Sequence, residues 1–227
     1  MKLSIVIPVF NEANTIQEII SKVHNIPFDK EIIVVDDGSS DATPRILHEI
    51  KEHYAIKLIC KAKNEGKGSA LREGFRQVTG DIVIIQDADL EYEPADYVIL
   101  IEPIVKGDAD VVFGSRFIGY PRRVMYFWHT FANNLVTLFS NVLNDINLTD
   151  METCYKVFKA PILKEVHFTS NRFGFEPEFT AKVAKKKYRI YEVPISYHGR
   201  TYKEGKKINW KDGMAALYWI IYYRFKN

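Results

Sequence analysis

The sequence lacks the features that mark several common classes of protein. It has only two cysteines, Cys60 and Cys154, and their positions form neither a metal-binding spacing nor a disulfide framework. No uncharged run is both long and apolar enough to span a bilayer. The net charge of +2 is close to balance, so we expect no nucleic-acid partner. These absences argue against a disulfide-stapled scaffold and favour a protein of the reducing cytosol.

Several short catalytic signatures are missing as well. The run from Gly66 to Ser69 has the composition of a phosphate loop, but it has neither the spacing of a P-loop nor the Gly-x-Gly-x-x-Gly of a dinucleotide fold. The six histidines include no metal-ligand pair at helical spacing. There is no Gly-x-Ser-x-Gly nucleophile elbow. A P-loop nucleotidase and a serine hydrolase are therefore not indicated.

The first half of the chain alternates short apolar runs with segments of helical periodicity. We interpret the opening run as a strand rather than a signal peptide, because it is short and leads directly into Asn11 and Glu12. This alternation predicts an α/β fold with a mostly parallel central sheet flanked by helices. The predicted strands are Leu3–Val9, Glu31–Val35, Ile56–Cys60, Ile82–Ile85 and Asp110–Phe113. The predicted helices are Ala13–Val23, Pro44–His53, Gly68–Val78 and Asp96–Lys106.

Polar residues follow every predicted strand. Because ligands of parallel sheets bind beyond the carboxyl ends of the strands, we expect these residues to converge on one crevice. They are Asn11–Glu12, Asp36–Asp37, Asn64–Gly66, Asp87–Asp89 and Ser115–Arg116.

The pair Asp87 and Asp89, directly after a buried strand, predicts a site for Mg²⁺ or Mn²⁺ on a diphosphate, with Glu91 as a further oxygen ligand. Lys67 and Arg116 are candidates for neutralising phosphate, and Arg200 and Lys206 add cations late in the chain. Asp37 has two open interpretations. It accepts hydrogen bonds from a nucleobase, or it caps a helix together with Gly38 and Ser39.

A second unusual segment, Val124–Leu143, contains no Asp, Glu, Lys or Arg. Its periodicity predicts an amphipathic helix with a very wide apolar face. Two interpretations remain open: a core helix packed on the sheet, or an interfacial helix at a membrane surface. The aromatic-rich segment Met214–Lys226 has the same character and ends in cations. The polar stripe of the first helix consists of Thr130, Asn133, Asn134, Thr137, Ser140 and Asn141.

Five motifs in order give the chain a family resemblance. They are Ile7–Glu12, Val35–Asp41, Asn64–Gly68, Asp87–Leu90 and Gly114–Phe117. Together they resemble family 2 glycosyltransferases of the GT-A fold, and within that family the dolichol-phosphate mannose synthases and related polyprenyl-phosphate glycosyltransferases. The resemblance covers roughly residues 1–207.

This resemblance implies roles for individual residues. Asp87, Ala88 and Asp89 engage the diphosphate and the metal, and Glu91 falls where the synthases commonly have a metal-binding glutamine. Arg116 falls on a phosphate-binding arginine, and Arg200 and Lys206 match a late basic pair, although the sequence around Lys206 and the segment after Asp150 depart from the usual pattern. The implied nucleoside pocket comprises Pro8, Phe10, Glu12, Val35 and Asp37.

The implied reaction is an inverting transfer from a GDP- or UDP-sugar that depends on a divalent metal. The resemblance gives Asp89, Arg116 and Arg200 catalytic roles. A phosphate acceptor is mostly dianionic at neutral pH and needs no base. A sugar hydroxyl needs a carboxylate to take its proton, for which Asp150, Glu176 and Glu178 are candidates.

We therefore expect a transferase that moves a sugar to a polyprenyl phosphate, in the cytoplasm and peripheral to the inner face of the membrane. The expected organisation is one GT-A domain over 1–207, with a nucleotide-sugar half (1–117) and an acceptor half (118–207). An aromatic amphipathic helix follows over 208–227. The alternatives are a soluble transferase acting on a saccharide hydroxyl, a sugar nucleotidyltransferase, and a non-catalytic nucleotide-sugar sensor. The oligomeric state stays open.

Overall fold

The computed structural model describes residues 1–119, 123–172, 174–199 and 210–226, with backbone only at 210–212. The strands are β1 Leu3–Val9, β2 Lys30–Asp36, β3 Ile56–Cys60, β4 Ile82–Ile85, β5 Val111–Ser115, β6 Lys156–Lys159 and β7 Ile190–Pro194. The helices are α1 Ile16–Asn25, α2 Thr43–Ile50, α3 Lys67–Phe75, α4 Tyr97–Val105, α5 Phe127–Asn144, α6 Ile162–Glu165, α7 Phe175–Lys185 and α8 Trp210–Phe225.

The strands form one seven-stranded sheet in the order β3-β2-β1-β4-β6-β5-β7. β6 runs antiparallel to β4 and β5, and the other neighbouring strands are parallel. The prediction of a mostly parallel α/β sheet is therefore confirmed. Successive strands are added on one side of β1 and then on the other, so the order reverses between β1 and β4. Such a reversal opens a crevice at the carboxyl ends of the two strands.

Burial of the central strands explains why their sequences are continuous apolar runs. Every residue of β1 and β4 is buried, as expected for parallel strands that helices cover on both faces. These strands contain no alternating polar residues, and each ends where Asn, Asp or Gln follows the apolar run. Because β1 and β4 are parallel neighbours, their polar ends lie side by side.

Helix α5 has its polar side inside and its apolar side outside. Thr137 and Ser140 of the polar stripe are buried, whereas Trp128 is 73% exposed and Val142 is 71% exposed. α8 packs against α5 and α7 and exposes a similar stripe. Among the described residues, no helix combines the length and apolar content needed to cross a bilayer. We call the exposed side chains the outer apolar face: Phe127, Trp128, Phe131, Leu135, Leu138, Val142, Met214, Tyr218, Ile221 and Phe225.

At the opposite end of the sheet from the crevice, Glu31 is a buried carboxylate that ties several elements together. It accepts hydrogen bonds from Lys57 Nζ at 2.6 Å and from the Thr79 backbone N–H at 2.6 Å, and also from the Ser4 hydroxyl. Burial alone would raise the pKa of Glu31, but these hydrogen bonds outweigh it and lower the pKa from 4.5 to about 2.

We expect Glu31→Gln to destabilise the protein by about 3 kcal/mol at pH 7. Because the folded-state pKa lies below the unfolded value, this stability is fully present above about pH 5 and is lost as pH falls toward 2. Urea unfolding at pH 7 and pH 3 measures it, and the gap between wild type and variant should shrink at pH 3. Glu52→Gln, which removes a 90% exposed carboxylate, is the control. An equal difference in unfolding free energy between wild type and Glu31→Gln at both pH values would contradict this explanation.

Candidate active site

The loops after β1 and β4 form the floor of the crevice and contain uncommon backbone conformations. Asn11 has φ 54° and Leu90 has φ 61°, both in the left-handed region that side chains with a β-carbon rarely adopt. Strain of this kind concentrates at ligand-binding and catalytic loops. Leu90 lies between Asp89 and Glu91, so the strained residue directs the proposed metal-binding carboxylates.

The predicted nucleoside pocket lies beside β1 and β2. Pro8 pairs with Val35 across the two strands, Val35 is fully buried, and Phe10 lies partly exposed at the end of β1. Glu12 begins the turn into α1, where Thr15 Oγ1 donates to its carboxylate at 3.1 Å. These residues are close together, and their contact with a nucleoside stays a prediction.

Asp37 is buried and anchors the loop that precedes α3. It accepts hydrogen bonds from Lys61 Nζ at 2.6 Å and from the backbone N–H groups of Gly66 at 2.6 Å and Glu65 at 3.2 Å. None of these donors belongs to the first turn of α2, and Gly66 is the N-cap residue of α3, so Asp37 holds the start of α3 and does not cap α2. Its hydrogen bond to a nucleobase stays a prediction.

Lys67, at the start of α3, bridges two carboxylates in the crevice. Its Nζ lies 2.9 Å from Asp87 Oδ1 and 3.0 Å from Glu176 Oε1. Burial alone would lower the pKa of Lys67, but the negative charges of Asp87 and Glu176 outweigh it and raise the pKa well above its usual value. Lys67 is therefore a fixed positive charge at the place where a diphosphate would sit.

The predicted metal ligands lie along the loop after β4. Asp89 Oδ1 accepts the Glu91 backbone N–H at 3.1 Å, and Glu91 Oε2 accepts the Tyr197 hydroxyl at 2.8 Å. In the part of the chain that the structure describes, no three His, Cys, Asp or Glu side chains are assembled as a metal-binding group. The carboxylate oxygens are nevertheless of the kind that Mg²⁺ and Mn²⁺ prefer. Asp87 itself is paired with the Lys67 ammonium.

Arg116, directly after β5, forms a bidentate pair with Asp150. Arg116 Nε lies 2.6 Å from Asp150 Oδ2, and Nη2 lies 2.7 Å from Oδ1. Asn133 of the α5 polar stripe contacts both partners, since its Oδ1 accepts from Arg116 at 3.2 Å and its Nδ2 donates to Asp150 Oδ1 at 3.4 Å. The guanidinium also lies 5.2 Å from the ring centroid of Tyr197. The α5 polar stripe therefore helps to hold the predicted phosphate-binding arginine.

The three candidate bases have different surroundings. Both oxygens of Asp150 are occupied by Arg116, and both oxygens of Glu178 accept hydrogen bonds from the loop at Thr169 and Ser170. Glu176 uses Oε1 for Lys67, while its buried Oε2 has no hydrogen-bond donor among the described residues. Glu176 is therefore the candidate with an oxygen left to accept a proton.

Arg200 and Lys206 lie outside the described residues. The segment that leads to Arg200 is described as far as Gly199, and it runs along the loop that carries the predicted metal ligands, because the His198 N–H donates to the Glu91 carbonyl at 2.8 Å. Tyr92 and Tyr197 also form a β-bridge there. The segment that precedes Arg200 therefore packs against the loop after β4.

Four residues of this crevice were not anticipated from the sequence. Lys61 and Asn133 hold predicted site residues by hydrogen bonds, and Tyr197 contacts both Glu91 and Arg116. Glu152, in the loop before β6, interacts electrostatically with Glu176, Lys156 and Arg116. The sequence offered a weak signal for Tyr197, which precedes Arg200 by three positions, and for Asn133, which belongs to the polar stripe of α5. It offered none for Lys61 and Glu152.

Comparison with known proteins decides the family. A sequence profile described as "Glycosyl transferase family 2" matches residues 4–167. The chain belongs to glycosyl transferase family 2. This match confirms the family that the five motifs indicated, and with it the glycosyltransferase class.

Curated family 2 relatives match most of this chain. The dolichol-phosphate mannosyltransferase of Pyrococcus furiosus is 28% identical over 211 residues, which is 91% of this chain and 59% of the relative. The dodecaprenyl-phosphate galacturonate synthase of Rhizobium johnstonii is 27% identical over 215 residues, covering 91% of this chain and 62% of the relative. The chain thus spans about three fifths of the length of these relatives.

Solved structures confirm the GT-A fold. The crystal structure of glucosyl-3-phosphoglycerate synthase from Mycobacterium tuberculosis, in complex with Mn²⁺, UDP and phosphoglyceric acid, superposes with a TM-score of 0.76. The match covers 99% of this chain and 78% of that one, at 18% identity. At 18% identity this similarity shows that the two proteins share a fold, and it says nothing about the substrates of this chain.

Proposed function

We propose that this family 2 glycosyltransferase moves a sugar from a GDP- or UDP-sugar to a polyprenyl phosphate at a membrane surface, with Mg²⁺ or Mn²⁺ bound. In this proposal residues 1–117 bind the donor, residues 118–207 bind the acceptor, and the segment 208–227 lies on the membrane. The enzyme would be peripheral to the inner face of the membrane.

The orientation of α5 is the observation that carries the acceptor proposal. One side of this helix holds Arg116 through Asn133, and the other side exposes Trp128, Leu138 and their neighbours. A lipid phosphate has the same two parts, an anionic head and an apolar chain. One helix therefore offers a cation site for the head and an apolar surface for the chain.

The names of the curated relatives point the same way. The two relatives described above are named for dolichol phosphate and dodecaprenyl phosphate. Each is about 27–28% identical over 91% of this chain. We therefore extend a polyprenyl phosphate acceptor to this chain as part of the proposal.

The residues of the crevice divide the chemistry between donor and acceptor. Asp87, Asp89 and Glu91 would hold the metal, which when bound would neutralise the charge that grows on the leaving diphosphate. Lys67, which is paired with Asp87, would bind the diphosphate beside the metal, and Arg116 would hold the anionic groups close to each other. A phosphate monoester attacks without losing a proton, because it is mostly dianionic at neutral pH.

The surroundings of Asp150 support an acceptor that needs no base. A carboxylate that holds Arg116 with both oxygens is poorly placed to take a proton. Glu176 remains the candidate base if the acceptor is a saccharide hydroxyl. The transfer of radiolabelled sugar to polyprenyl phosphate, compared with transfer to a saccharide, tests the proposal directly. Exclusive transfer to the saccharide would overturn it.

We expect the double variant Trp128→Glu/Phe131→Glu to bind liposomes at least tenfold more weakly than wild type. Inserting each of these side chains is worth about 1.5–3 kcal/mol, and 1.4 kcal/mol is a tenfold change in affinity. Co-sedimentation with vesicles containing anionic phospholipid at low salt measures this affinity.

Val98→Glu is the matched control for the liposome experiment. Val98 lies on α4, is 54% exposed, and does not belong to the outer apolar face. This variant should bind vesicles as wild type does. Equal binding by all three proteins, or no binding by wild type, would contradict the membrane part of the proposal.

A further inference from the structure

Tyr197 lies between the loop after β4 and the residue that follows β5. Its hydroxyl donates to Glu91 Oε2 at 2.8 Å, and the centroid of its ring lies 5.2 Å from the guanidinium carbon of Arg116. Glu91 is a predicted metal ligand, and Arg116 is the predicted phosphate-binding arginine. One half-buried side chain from the segment after β7 therefore contacts both groups, and it uses a different part of its structure for each.

Backbone hydrogen bonds hold the segment that carries Tyr197. On one side of it, the Ile195 N–H donates to the Ser115 carbonyl at 3.1 Å, which joins the segment to the end of β5. On the other side, the His198 N–H donates to the Glu91 carbonyl at 2.8 Å, which joins it to the loop after β4. The Tyr197 side chain is therefore held between these two elements by backbone contacts on both sides.

The hydroxyl of Tyr197 is a suitable partner for a carboxylate that binds a metal. A phenol donates to an ionised carboxylate in a charge-assisted hydrogen bond, which is roughly twice as strong as a bond between neutral groups. This bond to Oε2 restricts the rotation of the Glu91 carboxylate. Hydrogen-bond partners of this kind orient metal ligands, and their loss typically costs about 10–100-fold in metal affinity or activity.

The ring of Tyr197 contacts Arg116 in a different way. A guanidinium within about 6 Å of the centroid of an aromatic ring is attracted by the negative face of that ring. Asp150 holds the same guanidinium through two hydrogen bonds to its N–H groups. The two contacts are compatible, because a guanidinium donates from its edge and stacks through its face. Asp150 and the Tyr197 ring together therefore restrict the position of Arg116.

We propose that Tyr197 is a positioning residue with two separable roles: its hydroxyl orients Glu91 for the metal, and its ring holds Arg116 in place for a phosphate. Both roles rest on the proposed function, because the metal and the phosphate belong to it. Neither role requires Tyr197 to touch a substrate. Since substitution can remove the hydroxyl alone or the hydroxyl together with the ring, the two roles can be measured separately.

Tyr197→Phe tests the role of the hydroxyl. In calorimetric titration with Mn²⁺ in the presence of GDP or UDP, the Kd should rise about tenfold, because the bond to Glu91 is lost while the ring remains. Tyr188→Phe is the matched control. Tyr188 also donates to a glutamate, Glu165 Oε2 at 2.8 Å, but it lies just before β7, at the end of the sheet opposite to the crevice. Its Kd should equal that of wild type, and an unchanged Kd in Tyr197→Phe would overturn the role of the hydroxyl.

A double-mutant cycle shows whether the hydroxyl acts through Glu91. Glu91→Ala alone should raise the Kd for Mn²⁺, and adding Tyr197→Phe should change it by less than about twofold, because the carboxylate that the hydroxyl orients is gone. If the effects of the two changes multiply instead, Tyr197 does not act by orienting Glu91. If wild type itself binds no Mn²⁺, the metal-dependent reaction fails together with this role. If only the variants depart from these values, the reaction stands and the role of the hydroxyl fails.

Steady-state kinetics with polyprenyl phosphate test the role of the ring. Tyr197→Phe should keep the KM for this acceptor within about twofold of wild type, because the ring still lies beside Arg116. Tyr197→Leu should raise that KM at least about threefold above the value for Tyr197→Phe, since the contact between ring and guanidinium is lost. Partial unfolding would lower kcat through the fraction of active enzyme and leave the KM unchanged, so the KM separates positioning from packing. Equal acceptor KM values for the Phe and Leu variants would overturn the role of the ring.

Discussion

Asp89→Asn should lower kcat/KM for sugar transfer by about 100-fold. The change removes one negative charge but keeps a side-chain oxygen, so the hydrogen bond from the Glu91 N–H, now 3.1 Å long, can persist. A metal bound at a developing charge is worth several kcal/mol to a transition state, and a loss of about 3 kcal/mol corresponds to roughly two orders of magnitude in rate. Initial rates with a nucleotide-sugar donor measure this loss.

Measuring metal affinity shows whether the loss of activity in Asp89→Asn arises from weaker metal binding. Calorimetric titration with Mn²⁺ in the presence of the nucleoside diphosphate should show a Kd at least tenfold higher for Asp89→Asn. The matched control is Asp108→Asn, which changes an exposed aspartate in the turn after α4. Its rate and Kd should equal those of wild type. Unchanged metal affinity in Asp89→Asn would remove Asp89 from the metal site.

The first half of the fold was predictable because its signals are local. Strands β1, β3 and β4 begin and end where the apolar runs do. The runs of β1 and β4 are buried along their whole length, whereas β3 is an edge strand whose residues are partly or fully exposed. The helix boundaries were predicted less accurately than the strand boundaries. α1 begins at Ile16, three residues later than predicted, because Glu12 and Thr15 form a turn before it. Backbone hydrogen bonding in that turn has no clear signature in the sequence.

The strands of the second half were not predicted, because their sequences lack the apolar runs that mark strands in the first half. β6 has only four residues, Lys156–Lys159, with a lysine at each end. Lys156 is nevertheless fully buried, because its ammonium donates to two backbone carbonyls and lies 5.1 Å from the ring centroid of Phe113. The insertion of β6 between β4 and β5 is a long-range pairing that no local pattern indicates.

The α5 helix shows what periodicity can and cannot predict. The stripe of polar residues was visible in the sequence, and so was the wide apolar face. Which side faces the protein depends on tertiary partners: Thr137 accepts the Met151 N–H, and Asn141 exchanges two hydrogen bonds with Leu148. These contacts order the loop that holds Asp150. The polar side is buried because it supplies hydrogen bonds to the backbone of this loop. This reverses the usual arrangement of an amphipathic helix, in which the apolar side is buried.

The pair of Arg116 and Asp150 should be the most sensitive point of the structure to mutation. Asp150 is fully buried and Arg116 nearly so, so Asp150→Ala leaves an uncompensated charge. Breaking a buried pair in this way costs about 3–5 kcal/mol, which for a chain of this size lowers Tm by roughly 10 °C. Thermal unfolding measures the shift, and transfer activity should be lost with it.

A second variant separates charge burial from packing. In Arg116→Met/Asp150→Leu both charges are gone, so Tm should recover toward the wild-type value while activity stays absent. Asp110→Ala breaks another bidentate arginine pair, whose partner Arg189 is 52% exposed, together with an ion pair to Lys159, which is 35% exposed. Because solvent screens both pairs, their loss should cost at most about 2 kcal/mol in all. If Asp150→Ala proved as mild as Asp110→Ala, the pair would not hold Arg116 in place.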